Sequence, residues 1–309
     1  MDWRRLIDPE LAGLVRGGPT IGSLRLEDLP GHYEQRRRAA PVDLSDQVER
    51  RDVVIDDATG VSVRCHRPLG VSGPLPVLLT IHGGGFIVGS NRMDDIVLDE
   101  WCSRLPAFGV SVDYRLAPEH PYPAALDDCV AAVEWIGANV GMLGADVSRL
   151  GVFGVSAGGG LAAAVALRER EDGRARVTCL LLESPSLDDR QRWPSNQWEV
   201  PVADRATVEL GWRAYLGELY GTDDVPAAAA PGRAADLKGM PATCITVGEL
   251  DGLIDEARAF SEHLRRADVP TVFRSYAGAP HLFTSHRDTA IAKRCRADQL
   301  AWLQQHLSG

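Results

Sequence analysis

From Leu150 to Leu167 the chain runs for 18 residues without a charge, the length at which an apolar segment becomes a candidate membrane span. Glycines interrupt it at 151, 154, 158, 159 and 160, and each would weaken a continuous helix. The stretch divides better into an apolar strand, Leu150-Gly151-Val152-Phe153, a tight turn, and an Ala/Gly-rich helix from Gly159 to Arg168. The turn reads Gly154-Val155-Ser156-Ala157-Gly158, a G-x-S-x-G pattern in the strand-turn-helix setting that gives it meaning. So sharp a turn crowds backbone against backbone, so the positions two before and two after the serine exclude a Cβ and Ser156 is pushed out above the sheet. A phosphate-binding loop fits poorly, because no Lys-Ser or Lys-Thr follows the glycines and the G-x-G-x-x-G spacing is absent.

The rest of the chain supplies the sheet. Residues 53 to 68 predict an entry hairpin around Asp57-Ala58-Thr59-Gly60. Further strand-length apolar runs follow at Val77–Ile81, Ala107–Val112, Leu150–Val155, Val177–Leu182, Ala242–Val247 and Thr271–Tyr276. Between them, Leu126, Cys129, Val130, Val133 and Ile136, and later Ala257, Phe260 and Leu264, recur at helical spacing. Alternating buried strands and crossover helices imply an α/β fold, a mostly parallel sheet with helices on both faces. Residues 1–50 and 186–238 do not fit the alternation and read as an N-terminal segment and an insertion, around core parts at 51–185 and 239–309. Residues 186–220 hold Trp193, Trp198, Trp212, Tyr215 and Tyr220, roughly twice an even share of the chain's aromatics. Core packing and a lid over the carboxyl edge of the sheet explain this equally well.

A serine hydroxyl at neutral pH needs a general base, and the base needs an acid to orient it. His281, in Gly278-Ala279-Pro280-His281-Leu282-Phe283 after the last strand, stands where a base is required. His82 reads as structural, His286 as the start or cap of the terminal helix, and His32, His66, His263 and His306 as surface residues. After Val247 come Glu249, Asp251 and Asp255. Asp255 suits the first turn of the following helix, Asp251 is favoured as the acid, and Glu249 is its alternative. For a developing oxyanion, His82-Gly83-Gly84-Gly85-Phe86 follows a buried strand and offers backbone N–H groups. Gly84, Gly85 and Ala157 are the expected donors, with Gly83 as a further contributor.

Lys and Arg number 33 against 43 Asp and Glu, a net charge of −10, which disfavours nucleic acid and anionic membranes as partners. The run Arg36-Arg37-Arg38 reads as a solvated helix face. The six cysteines show no C-x-x-C or metal-like pairing and read as buried free thiols. The start of the chain lacks an apolar signal region, so a cytoplasmic protein is expected.

Together, His82-Gly83-Gly84-Gly85, Gly154-Val155-Ser156-Ala157-Gly158-Gly159, Asp113-Tyr114-Arg115-Leu116-Ala117-Pro118-Glu119-His120-Pro121 and His281-Leu282-Phe283 make the chain resemble the hormone-sensitive-lipase-like (family IV) α/β-hydrolases over most of residues 50–305. The resemblance implies an α/β-hydrolase fold and a carboxylesterase with a helical cap built from 1–50 and 186–238. It also implies a structural role for the Asp113–Pro121 loop, with Arg115 and Glu119 expected to pair. Members commonly carry Asp or Thr where this chain has Val155, and Pro where it has Gly252. The expectation is a serine ester hydrolase of short to medium acyl esters, with Ser156, His281 and Asp251 as its triad. Neither cofactor nor metal is expected; the partner is a small-molecule ester, and a homodimer is compatible with the reading. An amidase or N-deacylase would use the same residues, and a non-catalytic receptor could share the fold.

Overall fold

The structure, a computed structural model, describes residues 3–13 and 25–308. Residues 1–2, 14–24 and 309 are outside the described residues, and with them part of the expected N-terminal segment 1–50.

An eight-stranded sheet forms the centre: β1 (Val48–Asp56), β2 (Val61–Pro68), β3 (Leu75–Ile81), β4 (Phe108–Asp113), β5 (Ala145–Val155), β6 (Val177–Glu183), β7 (Ala242–Gly248) and β8 (Thr271–Tyr276). Their spatial order is β1-β2-β4-β3-β5-β6-β7-β8. The β1–β2 hairpin is antiparallel and β2 also runs antiparallel to β4, while the pairs from β4 through β8 are parallel. The helical segments are α1 (Tyr33–Arg36), α2 (Asp95–Arg104), α3 (Ala124–Ala138), α4 (Val140–Leu143), α5 (Ala157–Glu171), α6 (Arg205–Leu216), α7 (Ile254–Arg266) and α8 (Ala290–Leu307).

Every residue of β3 is buried, the signature of a strand covered on both faces. Strand alternation sends Leu79, Val152 and Leu180 into one core with Val133, Leu161 and Phe260 of α3, α5 and α7. Their neighbours Leu78, Phe153 and Leu181 go into the other, against Trp101 of α2 and Leu303 of α8. The uncharged stretch at 150–167 is thus the end of β5, a one-residue turn and most of α5. Among the described residues no helix is long and apolar enough to cross a membrane.

Between β6 and β7, residues 184–241 contain no strand; their longest element is α6, capped by Asp204, whose side chain accepts the Thr207 N–H at 2.8 Å. Two carboxylates at the start of α7, Glu256 buried and Asp255 half-buried, hold this insertion. Asp255 and Ser195 exchange side-chain-to-backbone hydrogen bonds, and Glu256 accepts from the Leu187 N–H at 2.7 Å and Asn196 Nδ2 at 3.2 Å. Asp255 is therefore structural, as expected. At Gly252 a Cβ would stand 2.4 Å from the Ala203 carbonyl oxygen, so the insertion packs where the resemblance leads one to expect the ring of a proline.

Four expectations need correction. Arg36 is 8% exposed, and its guanidinium donates to the carbonyls of Leu29 and Ala117 at 3.1 and 3.0 Å, to the Ile87 carbonyl and to Glu119. Arg37 pairs with Asp113. Acceptors from distant segments converge on these two arginines, which no local charge pattern reveals. Arg115 and Glu119 do not pair, because Asp128 of α3 takes Arg115 at 2.7 Å and Arg36 takes Glu119. His66 is fully buried against Asp95 at 3.0 Å, since β2 is covered by α2 and lies inside the sheet. Finally, α8 is capped by Thr289 rather than His286, the threonine hydroxyl accepting the Ala292 N–H.

Candidate active site

Ser156 is the hinge between β5 and α5. Its backbone sits at φ 55°, ψ −120°, a region most side chains avoid. What forces it there is proximity: a Cβ on Gly154 would stand 2.1 Å from the Gly158 carbonyl oxygen, and one on Gly158 would stand 2.0 Å from that of Ile81. The strained residue is held by its own main chain, because the Ser156 N–H donates to the Glu183 carbonyl and the Ser156 carbonyl accepts from Ser186 and Gly160.

His281 comes from the loop after β8. This loop rests on β7, where Gly248 leaves room for the Ala279 carbonyl, 2.2 Å from the position a Cβ would take, and the Leu250 N–H donates to the same oxygen. His281 is 5% exposed and Asp251 fully buried. The Nδ1 of His281 lies 2.8 Å from Asp251 Oδ2, and its Nε2 lies 3.0 Å from Ser156 Oγ. A carboxylate only accepts, so Nδ1 carries the proton and Nε2 is free to accept from the serine hydroxyl. Asp251 bonds on both sides: Oδ1 accepts the Leu253 N–H at 2.9 Å, which closes the turn before α7, and Oδ2 faces the histidine.

The alternative acid is elsewhere. Glu249 is exposed and accepts the Ser275 hydroxyl at 2.8 Å. His82 is fully buried, with Nδ1 donating to the Gly83 carbonyl at 2.7 Å and its ring stacked on Tyr114 at 4.1 Å. Burial pushes its pKa down to about 4, so it stays neutral and holds the glycine loop.

Beside Ser156 lies Gly83, the first of the three glycines of the loop. A Cβ on Gly83 would be 3.4 Å from that of Ser156. Gly84 and Gly85 have φ of +117° and +59°, and a Cβ on Gly84 would fall 2.0 Å from the Val88 carbonyl oxygen, so that position admits only glycine. Among the described residues no hydrogen bond uses the N–H groups of Gly84, Gly85 or Ala157. The next residue, Phe86, stacks on Tyr215 of α6 at 4.1 Å and meets Trp212 at 5.1 Å, so part of the aromatic enrichment in 186–220 packs against this loop.

Sequence reasoning missed the polar group on the other side of the serine. Glu183 ends β6, is 4% exposed, and accepts hydrogen bonds from the Thr284 hydroxyl and from Gln299 Nε2. A lone acid closing the apolar run Val177–Leu182 was the available signal.

Chemically, a hydroxyl hydrogen-bonded to an oriented imidazole, with unbonded N–H groups beside it, is an arrangement for attack on a carbonyl carbon. Comparison with known proteins agrees. Residues 78–285 match the family described as alpha/beta hydrolase fold. The chain is 37% identical over 241 residues to the carboxylesterase NlhH of Mycobacterium tuberculosis, covering 74% of this chain and 75% of that protein. It is 35% identical over 275 residues to the esterase LipI of the same organism, covering 87% and 85%. Among solved structures, a bacterial heroin esterase superposes with a TM-score of 0.89 at 36% identity, covering 99% of each chain. The esterase LipW from Mycobacterium marinum gives 0.86 at 32%, covering 100% and 98%. The chain belongs to the α/β-hydrolase fold family, in its hormone-sensitive-lipase-like branch.

Proposed function

We propose that Ser156, His281 and Asp251 form the catalytic triad of a serine carboxylesterase. The protein is a carboxylesterase on the strength of its family and its named esterase relatives; the assignment of residues is carried by the continuous hydrogen-bond chain from Ser156 through His281 to Asp251, at 3.0 and 2.8 Å. In this reading Ser156 Oγ attacks the acyl carbonyl carbon as His281 Nε2 takes its proton. His281 then returns the proton to the departing alkoxide, leaving an acyl-serine. Water attacks the acyl carbon with the same base, and the acid leaves as Ser156 is regenerated. Gly84, Gly85 and Ala157 donate to the oxyanion in both steps, with Gly83 as a further contributor, and Asp251 stabilises the imidazolium.

The substrates are small-molecule esters with short to medium acyl chains. Supporting this, Phe86, Trp212 and Tyr215 are 3%, 1% and 0% exposed, so the aromatics beside the glycine loop pack against one another instead of lining an open groove. Residues 186–238 and the N-terminal segment act as the cap. The enzyme works in the cytoplasm without metal or cofactor.

The test is hydrolysis of p-nitrophenyl butyrate and laurate, with fluorophosphonate labelling located by peptide mass spectrometry. Butyrate should be favoured, label should fall on Ser156, and Ser156→Ala should lose on the order of 10³-fold or more in kcat. Label on another serine, or activity surviving Ser156→Ala, would overturn the assignment.

A further inference from the structure

The reaction proposed above gives no task to Glu183, yet this residue is bonded both to the serine turn and to the segment that carries His281. Its carbonyl accepts the Ser156 N–H at 2.9 Å, so the residue carries the elbow on its main chain. Its carboxylate accepts the hydroxyl of Thr284, three residues past His281. Its other oxygen accepts Gln299 Nε2 of α8 at 2.7 Å, and Gln299 also reaches Thr246 of β7 at 3.0 Å. Gln299 is 1% exposed. A buried carboxylate at this cost in solvation would ordinarily be replaced by an apolar side chain or matched by a directly bonded cation. Here the bonded partners are neutral donors, and the cationic groups that act on it through space are His281, once protonated, and Arg296.

We infer that Glu183 is a second anionic positioning residue for His281, tying the base loop to the nucleophile turn and sharing with Asp251 the charge of the imidazolium that forms during catalysis. The inference rests on the triad reading. Burial is the largest effect and leaves the Glu183 pKa above the ordinary carboxylate value, although the bonds from Thr284 and Gln299 and the nearby His281 and Arg296 pull it down. Two donated hydrogen bonds and two cationic neighbours favour the ionised carboxylate against its burial, whereas Glu256 has the anion Asp188 beside it. Among the described residues, the charged or titratable groups that act on His281 or Glu183 include Asp251 from the loop after β7 and Arg296 and Cys295 from α8. Burial pushes the Cys295 thiol upward and keeps it neutral, and Arg296 is engaged by Glu100 and the Thr284 carbonyl.

A negative charge beside an imidazole favours its protonated form, so removing that charge should make the base available at lower pH. Glu183→Gln preserves shape: its amide oxygen can accept from Gln299 and its amide nitrogen can donate to the Thr284 hydroxyl. In this variant the acid limb of the kcat/KM profile should move down by ~0.5 to 1 pH unit, and kcat should fall about 3- to 10-fold with KM little changed. The pH dependence of fluorophosphonate labelling of Ser156 should shift in the same direction. Should Glu183→Gln not fold, Gln299→Met asks the same question by stripping a donor from the carboxylate and weakening its hold on charge. A limb that stays put in whichever variant folds overturns the inference, even if kcat drops, because a purely structural role would lower activity without moving the limb. Loss of activity in Ser156→Ala alongside an unmoved limb would leave the triad standing and overturn only the role given to Glu183.

Discussion

Glycine in the middle of a helix costs about 1 kcal/mol relative to alanine, so Gly211 in α6 needs a reason. The structure supplies one: a Cβ at 211 would stand 2.6 Å from the carbonyl oxygen of Gly85. Helix α6 is laid directly on the glycine loop, with Trp212 and Tyr215 closing around Phe86. Gly211→Ala forces the helix and the loop apart from 2.6 Å toward the 3.4 Å of an ordinary contact, a shift of about 0.8 Å if nothing else gives. Two effects on stability then oppose each other: better helix propensity gains about 1 kcal/mol, and overpacking costs roughly 1 to 3 kcal/mol. The melting temperature should change by only a few degrees. Activity has no such compensation, because a donor displaced by close to 1 Å costs on the order of 10²-fold. With the shift divided between helix and loop, kcat should fall ~10- to 100-fold. Hydrolysis of p-nitrophenyl butyrate, read beside a thermal melt of the same preparation, separates the two. A variant that melts clearly lower yet keeps wild-type kcat would refute the reasoning, since it would show α6 to be held against the loop without setting its donors.

Two further outcomes follow from the same geometry. Asp251→Asn should leave the fold intact and cut kcat by about 10³- to 10⁴-fold, as loss of an orienting acid does in serine proteases, whereas Glu249→Gln, on the exposed side at Ser275, should change it less than about two-fold; steady-state kinetics on both variants checks the ranking, and the reverse order would move the acid to Glu249. Burial raises the Glu256 pKa from 4.5 to about 8. The folded state therefore holds a proton that the unfolded chain releases, and this stabilisation is complete below pH 4.5 and is lost as pH rises through about 8. Urea midpoints measured from pH 5 to 8.5 should fall less steeply for Glu256→Gln than for the wild type, and parallel curves would show that Glu256 is already ionised in the folded protein.

Where the chemistry depends on local backbone, the amino-acid order was enough. The strand runs, the G-x-S-x-G turn, the HGGG loop and the helix at 157–171 follow from nearest neighbours and from which residues can tolerate a positive φ or a missing Cβ. Ser156, Asp251 and His281 could be proposed because each follows a recognisable apolar strand, and parallel sheets deliver strand ends to one edge. The order of residues favoured Asp251 but left Glu249 open, since both carboxylates stand within three residues after the same strand; only chain packing turns one toward His281 and the other toward Ser275. The same limit hid Arg36, whose acceptors come from Leu29, Ile87, Ala117 and Glu119, and mispaired Arg115, whose acceptor is on α3. It hid Glu183 as well, which acquires its meaning from Thr284 and Gln299 about a hundred residues further along. A buried polar side chain must find partners wherever the fold brings them. Hydrophobic periodicity and turn chemistry are properties of short segments and are written locally, whereas charge satisfaction in the interior is a property of surfaces that meet only once the chain has folded.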